Sequence, residues 1–553
     1  MTEISYAALK DSLQKNISLE ELKDVLFEMG MGLESYEDDS LSIEITPERL
    51  DLLSVQGIAR AIKSFIGEKL ESPEFPVHHD DSFEMFIEES VKEVRPFTVC
   101  AVIKNLDLDD EKIKQLINIQ EKLHQTLGRK RTRGAIGIYP LDKISWPIRF
   151  KADLPEKISF KPLGSDKVMS GEEILTSHET GKEYAHLLDG KKVYPFFIDA
   201  KSEILSMPPI INSELTGKVE ESTKDIFIEC SGFEPNILNQ LLNNLVTMFK
   251  DMGGDIYAVK VIDESLKSNF LSPDLEPLRT KLDISNVEKK IGIKISEGEI
   301  EKNLLKMMHS VEKKDGSSWI VKTPRLRTDI WQEVDLIDDI ARAYGYNNIP
   351  LRIPDVVSIG STLKLSDLNE ELSEVMVGLG FLETYTFAIA SKEEQLSKML
   401  LDESKEKFIE ITNGMESQGM LRMSLIPQQL QSLANNRNRP LPQKIFEGSF
   451  VVIPDESKDV KARNELHFSA LIADKIVTFT DIRQVLEALL RTRGLKPSIK
   501  PAVHPSFIDG RLGEIFVGDE KIGLIGELHP AVLENFGLQT PVAVFEINIE
   551  PLI

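Results

Sequence analysis

The densest set of residues able to do chemistry is the run Asp329-Ile330-Trp331-Gln332-Glu333-Val334-Asp335-Leu336-Ile337-Asp338-Asp339-Ile340. Read as a helix at about 100° per residue, it projects Asp335, Asp338 and Asp339 from one face, with Asp329 near the start. Converging carboxylates repel one another unless a cation intervenes. Hard oxygen ligands of this kind suit magnesium, which keeps several of its waters. A solvated acidic face whose first carboxylate complements the helix dipole has the same spacing, and Ile330, Val334, Ile337 and Ile340 form the buried stripe either way. A second set is Gly128-Arg129-Lys130-Arg131-Thr132-Arg133-Gly134, whose clustered cations make a local site for nucleic-acid phosphates, or a loop that is solvated or paired with the protein's own acids. Other chemistries are missing. Gly181-Lys182 is followed by Glu183 and so lacks the hydroxyl a P-loop needs, and there is no His-Glu-x-x-His, zinc spacing or Gly-x-Ser-x-Gly elbow. His78-His79-Asp80-Asp81 reads as a solvated linker, because neighbouring side chains of an extended segment point in opposite directions.

The elements that must hold these residues belong to a chain of 553 residues, which predicts three or four domains. With 41% apolar and 28% charged residues, it has the composition of a globular protein. No apolar run reaches the roughly 18 residues of a membrane span, and the opening residues lack the pattern of a signal peptide. Cys100 and Cys230 form no Cys-x-x-Cys pair, so a reducing cytoplasm is expected. The net charge of −25 repels polyanions and confines nucleic-acid binding to a basic patch.

Two distant segments read alike. Ser18 and Glu21 have capping-box spacing before a helix with Leu22, Val25, Leu26 and Met29 on one face, and Leu41–Ile45 alternates as a strand. Thr46-Pro47 then starts a helix bearing Val55, Ile58, Ala59 and Ile62. Ser296 and Glu299, the strand Ser318–Val321, Thr323-Pro324 and Ile340-Ala341-Arg342-Ala343 repeat the pattern, which predicts two related small α+β modules. Between them, after an acidic, Pro-rich linker at 71–76, strands at 97–103, 194–198 and 225–230 and a long helix carrying Leu238 to Phe249 predict an α+β domain. Beyond a further Pro-rich linker at 350–354, the last 200 or so residues contain a hairpin at 515–525 and a strand at 542–547. They predict an antiparallel sheet with flanking helices rather than a parallel one.

The run from Ser318 to Pro350, with Thr323-Pro324-Arg325-Leu326-Arg327-Thr328-Asp329-Ile330 and Ala343-Tyr344-Gly345-Tyr346-Asn347-Asn348, resembles the magnesium-bearing domain of phenylalanyl-tRNA synthetase β chains. Ser206-Met207-Pro208-Pro209-Ile210-Ile211-Asn212 is similar to that family's editing domain. His504-Pro505 and Gly526-Glu527-Leu528-His529-Pro530 are similar to its C-terminal catalytic-like module. Nearly the whole chain is covered, and its order and length resemble the short archaeal and eukaryotic form.

The resemblance implies an α+β multidomain chain divided into an N-terminal module at 1–85, an editing domain at 86–268, a magnesium-binding module at 272–350 and a class II catalytic-like antiparallel domain at 355–553. It implies a cytoplasmic phenylalanine-tRNA ligase subunit in a tetramer of two α and two β chains. In the family it resembles, the α chain carries ATP-dependent adenylation and transfer to phenylalanine tRNA, and this sequence agrees, having Leu421-Arg422-Met423-Ser424-Leu425 but no Gly-rich segment ending in the arginine of an ATP site. Asp329, Asp335, Asp338 and Asp339 map onto the family's magnesium positions, leaving Glu333 outside. A pocket made for a phenyl ring rejects an added hydroxyl by only about 10², so a second site must hydrolyse mischarged tyrosyl-tRNA. The resemblance makes Ser206, Asn212, Glu229 and Ser231 its candidate catalytic residues, with Glu229 accepting from the tyrosine phenol. Arg129, Lys130, Arg131 and Arg133 are candidate tRNA contacts. A non-catalytic RNA-binding or assembly scaffold is the alternative, and a stand-alone magnesium-dependent hydrolase ranks last.

Overall fold

The computed structural model describes residues 2–264, 266–353, 358–412, 414 and 419–553, in two compact units, 1–353 and 354–553. The linker expected at 350–354 and the domain start expected at 355 reach into 354–357, outside the described residues. Among the described residues no helix is long and apolar enough to cross a membrane.

The first unit begins with β1 (Thr2–Ser5), α1 (Tyr6–Leu13), α2 (Leu19–Glu28), β2 (Gly32–Glu37), β3 (Ser40–Glu44) and α3 (Val55–Phe65). Ser18 and Glu21 form the capping box of α2, and the sheet order is β1-β3-β2. Leu22, Leu26, Ile58 and Ile62 fill the core beneath it, so the helical stripe does pack as its spacing requires.

The middle of this unit is one large sheet. Its strands are β4 (Val77–Ile87), β5 (Phe97–Lys104), β6 (Gly134–Pro140), β7 (Ile148–Asp153), β10 (Tyr194–Ile198), β11 (Ile204–Met207), β12 (Ile211–Asn212), β13 (Ile226–Gly232), β14 (Asp255–Asp263) and β15 (Ser268–Ser272); a short ribbon pairs β8 (Ser159–Phe160) with β9 (Met169–Ser170). Helices α4 (Asp110–Gln125), α5 (Gly171–Ser177), α6 (Glu179–Tyr184) and α7 (Pro235–Asp251) accompany it. The order is β12-β11-β10-β7-β4-β14-β5-β13-β6, with β15 on β14. Leu238, Leu241, Leu242, Leu245 and Phe249 of α7 are buried with Val99, Ala101, Ile103, Ile226 and Ile228 of the sheet. Central β4 pairs with β14 and β7, so this sheet takes in residues from Val77 onward, ahead of the boundary expected at 85/86. His78 and His79 therefore lie in a strand rather than a linker, and His78 packs on Tyr257 with ring centroids 5.1 Å apart. The polar composition of this stretch hid a strand whose burial begins only at Phe83.

The second module repeats the first element by element: β16 (Leu278–Asp283), α8 (Ile284–Ile291), α9 (Glu297–Lys306), β17 (Ser310–Asp315), β18 (Ser318–Thr323) and α10 (Glu333–Tyr344). Its sheet order is β16-β18-β17, its second helix has the Ser296 and Glu299 capping box, and β17 is irregular between Val311 and Lys313 as β2 is between Leu33 and Ser35. One further parallel is an arginine two residues before an aspartate, ahead of the last helix of each module. Arg49 grips Asp51 with two bonds of 2.9 Å, and Arg327 grips Asp329 with bonds of 2.9 and 2.7 Å. Each pair lies in the segment before its helix, so Thr46-Pro47 does not start α3, and α10 begins at Glu333 rather than at Asp329. Met307, Met308, Leu326 and Ala343 of the second module complete the core of the first, and Arg342 donates to the Met29 carbonyl at 3.0 Å.

The second unit opens with α11 (Lys364–Gly378) and builds a sheet from β19 (Leu382–Glu383), β22 (Gln443–Pro454), β23 (Ala462–Ala473), β24 (Ser498–Pro501), β25 (Phe507–Val517), β26 (Glu520–Leu528) and β27 (Val542–Asn548). The remaining strands, β20 (Ile389–Ala390) and β21 (Met420–Leu421), pair separately. The order is β19-β22-β23-β27-β26-β25-β24, antiparallel except for β19 beside β22. Arg422 is consumed internally, donating to Glu447 at 2.9 Å, Ser449 at 2.6 Å and the Phe450 carbonyl at 2.8 Å.

Candidate functional site

The path of the large sheet ends in β6 at one side and in β11 and β12 at the other, and side chains bring these ends together. The Tyr139 hydroxyl of β6 lies 2.7 Å from Ser206 Oγ of β11, and Arg131, just before β6, donates to the Ile210 carbonyl at 3.0 Å. At this seam lies a cavity of about 390 Å³, lined among others by Gln120, Glu121 and His124 of α4, Arg131, Pro208, Asn212 and Glu229. That volume suits an amino-acid side chain with its ester.

Glu229 is carried by β13, between β5 and β6 and directly opposite Gly137 and Cys100. It is 1% exposed, and its Oε1 lies 3.2 Å from the Tyr139 hydroxyl. Its Oε2 is buried and has no hydrogen-bond partner. Burial pushes its carboxyl up to about 8, against the opposing pull of the Arg95 charge and of the Tyr139 hydroxyl. The carboxyl is therefore mostly neutral at pH 7, with one oxygen beside Tyr139 and the other unpartnered, on a residue of the cavity lining. Arg95, 2% exposed, donates to Ser231 Oγ at 3.0 Å and to the Ser231 carbonyl, and burial lowers its own guanidinium to about 10.

Of the residues expected from sequence, Glu229 and Asn212 line the cavity, Ser206 reaches Glu229 through Tyr139, and Ser231 is held by Arg95. Tyr139 and Arg95 went unnoticed because a tyrosine and an arginine far from any motif carry no sequence signal. The pattern Gly137-x-Tyr139 is the one trace, since the period of 2 places both on one face of β6. A Cβ on Gly137 would stand 2.2 Å from the Tyr139 hydroxyl and 2.5 Å from Glu229 Oε1. Gly137→Ala is accordingly expected to destabilise the first unit by roughly 1–3 kcal/mol and to displace Glu229. Urea melts of the full chain check this, and an unchanged midpoint would show that the neighbours move aside freely.

The basic loop divides its cations. Arg129, Lys130 and Arg131 have φ of 46°, 51° and 65°, a left-handed turn of three successive non-glycine residues. The turn feeds Arg131 inward, where its guanidinium lies 4.2 Å from the Tyr184 ring centroid and donates to Glu121 at 3.3 Å. Arg133 forms a two-pronged pair with Glu234, both bonds 2.7 Å. Arg131 and Arg133 are thus engaged by the protein itself. Arg129 and Lys130 are exposed and have no ion pair among the described residues.

The acidic helix is also partnered internally. Asp339, 4% exposed, accepts from Arg327 at 2.6 Å and lies 2.7 Å from His309 Nε2, while Asp329 takes two bonds from the same arginine. Thr323 lies 3.0 Å from His309 Nδ1, and burial lowers that imidazole, so it is neutral and donates from Nε2. Asp335 caps the helix, accepting from the backbone of Trp331 and Gln332 at 2.7 and 2.8 Å. Asp338 accepts from Arg342 at 2.8 Å and Tyr346 at 2.9 Å. Among the described residues no three His, Cys, Asp or Glu side chains are grouped to hold a metal. The four aspartates expected as magnesium ligands do not fit a shared ion in this arrangement, because Arg327 is bonded to Asp329 and Asp339 while Asp335 is taken up by backbone N–H groups and Asp338 by Arg342 and Tyr346. Added EDTA is expected to shift the melting temperature of the chain by less than about 1 °C. A drop of several degrees that magnesium restores would give the four their ligand role.

Comparison with known proteins agrees with this architecture. Three family models match: the Phenylalanyl tRNA synthetase beta chain CLM domain over residues 349–549, the tRNA synthetase B5 domain over 280–346 and the Phe-tRNA synthetase beta subunit B1 domain over 1–68. The phenylalanine–tRNA ligase beta subunit of Thermococcus sibiricus is 38% identical over 91% of this chain and 89% of its own. Those of Thermococcus kodakarensis (36%, covering 100% of this chain and 98% of its own) and Archaeoglobus fulgidus (37%, 94% and 93%) are similar throughout. A crystal structure of an N-terminal fragment of the phenylalanyl-tRNA synthetase beta subunit from Pyrococcus horikoshii superposes with a TM-score of 0.60 at 34% identity, covering 62% of this chain and 99% of the fragment. The multidomain α+β fold and these matches define an aminoacyl-tRNA synthetase subunit. Within that class, the chain belongs to the family of phenylalanine–tRNA ligase beta subunits.

Proposed function

We propose that this chain joins an α chain, two copies of each, in a cytoplasmic enzyme that attaches phenylalanine to its tRNA with ATP and magnesium, and that the seam cavity hydrolyses tyrosyl-tRNA. The observation that carries the second part is the buried, unpartnered Oε2 of Glu229 at a cavity sized for an aminoacyl group. A neutral carboxyl offers the tyrosine phenol a hydrogen bond, whereas phenylalanine leaves Oε2 unsatisfied. Ser206 and Ser231 act on Glu229 through Tyr139 and Arg95, and Asn212 lines the space where the ester sits. Adenylation falls to the α chain in this reading, consistent with the internal use of Arg422. Leu382, Tyr385 and Phe387, exposed by 70%, 87% and 82% within a few residues, offer apolar surface for that chain to cover. Arg129 and Lys130 are the cations left for tRNA phosphates. Free, buried Cys100 and Cys230 suit the cytoplasm. Magnesium is assigned to the assembled enzyme, and no step is routed through the four aspartates.

The test is hydrolysis of tyrosyl-tRNA and phenylalanyl-tRNA by the assembled α and β chains. Faster release of tyrosine supports proofreading. Equal, background rates with intact phenylalanine charging leave a scaffold in its place.

A further inference from the structure

A second cavity, of about 540 Å³, lies where α1, α3, the segment 69–75 and the end of α7 meet. Its polar wall is one face of α3, where Gln56, Arg60 and Lys63 follow at spacings of four and three and so neighbour one another. The Arg60 side chain, 13% exposed, pairs through Nη1 with Asp251 of α7, and its buried Nε has no hydrogen-bond partner. Gln56 turns its Nε2 to Gln115 at 2.7 Å and leaves Oε1 buried and unpartnered. Lys63, half-buried, gives one N–H to the Ser12 carbonyl at 2.8 Å and has no ion pair among the described residues. Burial raises the Asp251 carboxyl above its ordinary value although the charges of Arg60, Lys69 and Lys63 all pull it down, so three cations share one carboxylate. The other cations of the lining are paired, Lys69 with Glu71 at 3.0 Å, Lys250 with Asp255 at 2.9 Å and Lys112 with Asp109 at 3.6 Å. Its remaining acids, Asp11 and Glu74, are exposed residues. In a chain of net charge −25, Arg60 and Lys63 are thus cations with donors to spare beside a cavity.

The repeat of the two modules isolates what is special here. Arg60 corresponds to Arg342 in the matching Ile-Ala-Arg-Ala runs, and four residues before Arg342 stands Asp338, which accepts from it at 2.8 Å. The first module has the neutral Gln56 at that place. Arg60 therefore has no carboxylate on its own helix face, and the position offers an acceptor that needs a donor. A phosphate monoester brings close to two negative charges and three acceptor oxygens, which suits an arginine and a lysine with unused N–H groups better than the single charge of a carboxylate. Inorganic phosphate alone would leave Gln56 Oε1 unpaired and most of the volume unfilled, and that volume is in the range of small-molecule sites. We propose that this cavity binds a small phosphate monoester, with Arg60 and Lys63 holding the phosphate and Gln56 accepting from a hydroxyl or amino group of the organic part.

Isothermal titration of the full chain with AMP and with adenosine, which differ by the phosphate alone, tests this. Each charge-assisted hydrogen bond makes a difference of about ten- to a hundredfold, so AMP should bind at least about tenfold more tightly than adenosine. Lys63→Gln should weaken AMP by about ten- to a hundredfold and leave adenosine unchanged. Gln56→Glu installs the carboxylate that the second module carries at this place, pairs Arg60 within α3 and should weaken AMP by a similar factor. A melting temperature no lower than the parent's separates loss of the site from loss of the helix, and either variant that meets it suffices. Equal affinities for AMP and adenosine overturn the proposal, as does undiminished AMP binding by a variant that melts with the parent. Absence of AMP binding at millimolar concentration, checked by equilibrium dialysis, would show that solvent alone fills the cavity and overturns it as well.

Discussion

Glu229→Ala in the assembled enzyme is expected to abolish preferential hydrolysis of the tyrosyl ester, a loss of about 10²- to 10⁴-fold in kcat/KM for tyrosyl-tRNA with little change for phenylalanyl-tRNA. The asymmetry follows from the unpaired Oε2, which gains a partner only from a phenol. Stable tyrosyl-tRNA then accumulates in charging reactions, and undiminished hydrolysis would remove Glu229 from the site. The same carboxyl predicts a pH dependence of stability. Its ordinary value is 4.5 and burial raises it to about 8, so between these limits the folded chain holds a proton that the unfolded chain releases. The stability contributed by the neutral acid is complete below pH 4.5 and is lost as pH rises through 8. Glu229→Gln is neutral throughout and escapes this loss. Relative to the parent it should gain on the order of a few kcal/mol between pH 5 and pH 9, read as a rise in melting temperature at the higher pH alone.

Legibility in the sequence followed the range of the interactions. Capping boxes at Ser18 and Ser296 and the apolar stripe of α7 are local, and they formed where spacing put them. The antiparallel sheet of the second unit was visible because β25 and β26 adjoin across the turn at Gly518-Asp519. The cavity was not visible as a cavity. Its walls come from α4, β6, the β11–β12 turn and β13, and only sheet closure brings Glu121 to Glu229. The basic loop left both of its readings open for a related reason: charge density says nothing about direction, and the left-handed turn sent Arg131 inward while Glu234 took Arg133. Strand β4 was hidden because its polar half begins outside the core.

In the acidic helix one arginine is bonded to two of the four aspartates, and the expected cost of removing it is large. Arg327 is fully buried and donates to Asp329, Asp339 and the Met307 carbonyl. Burial alone would raise Asp339, but the charge of Arg327 and the hydrogen bond from His309 hold its carboxyl below the ordinary range. Its contribution to stability is therefore present above pH 3.8 and lost as pH falls through the lowered value. Arg327→Ala leaves the buried Asp339 and the partly buried Asp329 without that counter-charge, which is expected to cost about 3–5 kcal/mol, seen as an early thermal transition of the first unit. The sign of the pH dependence should also reverse. Without the guanidinium, burial raises Asp339, so the deficit is deepest at neutral pH and shrinks toward pH 4 as the acid takes up a proton. Asp339→Asn added to Arg327→Ala should recover part of the loss at pH 7 and none at pH 4. An Arg327→Ala chain that melts with the parent at both pH values would show that the carboxylates find another counter-ion. Magnesium uptake by that variant alone would then identify the arginine as the ion's substitute.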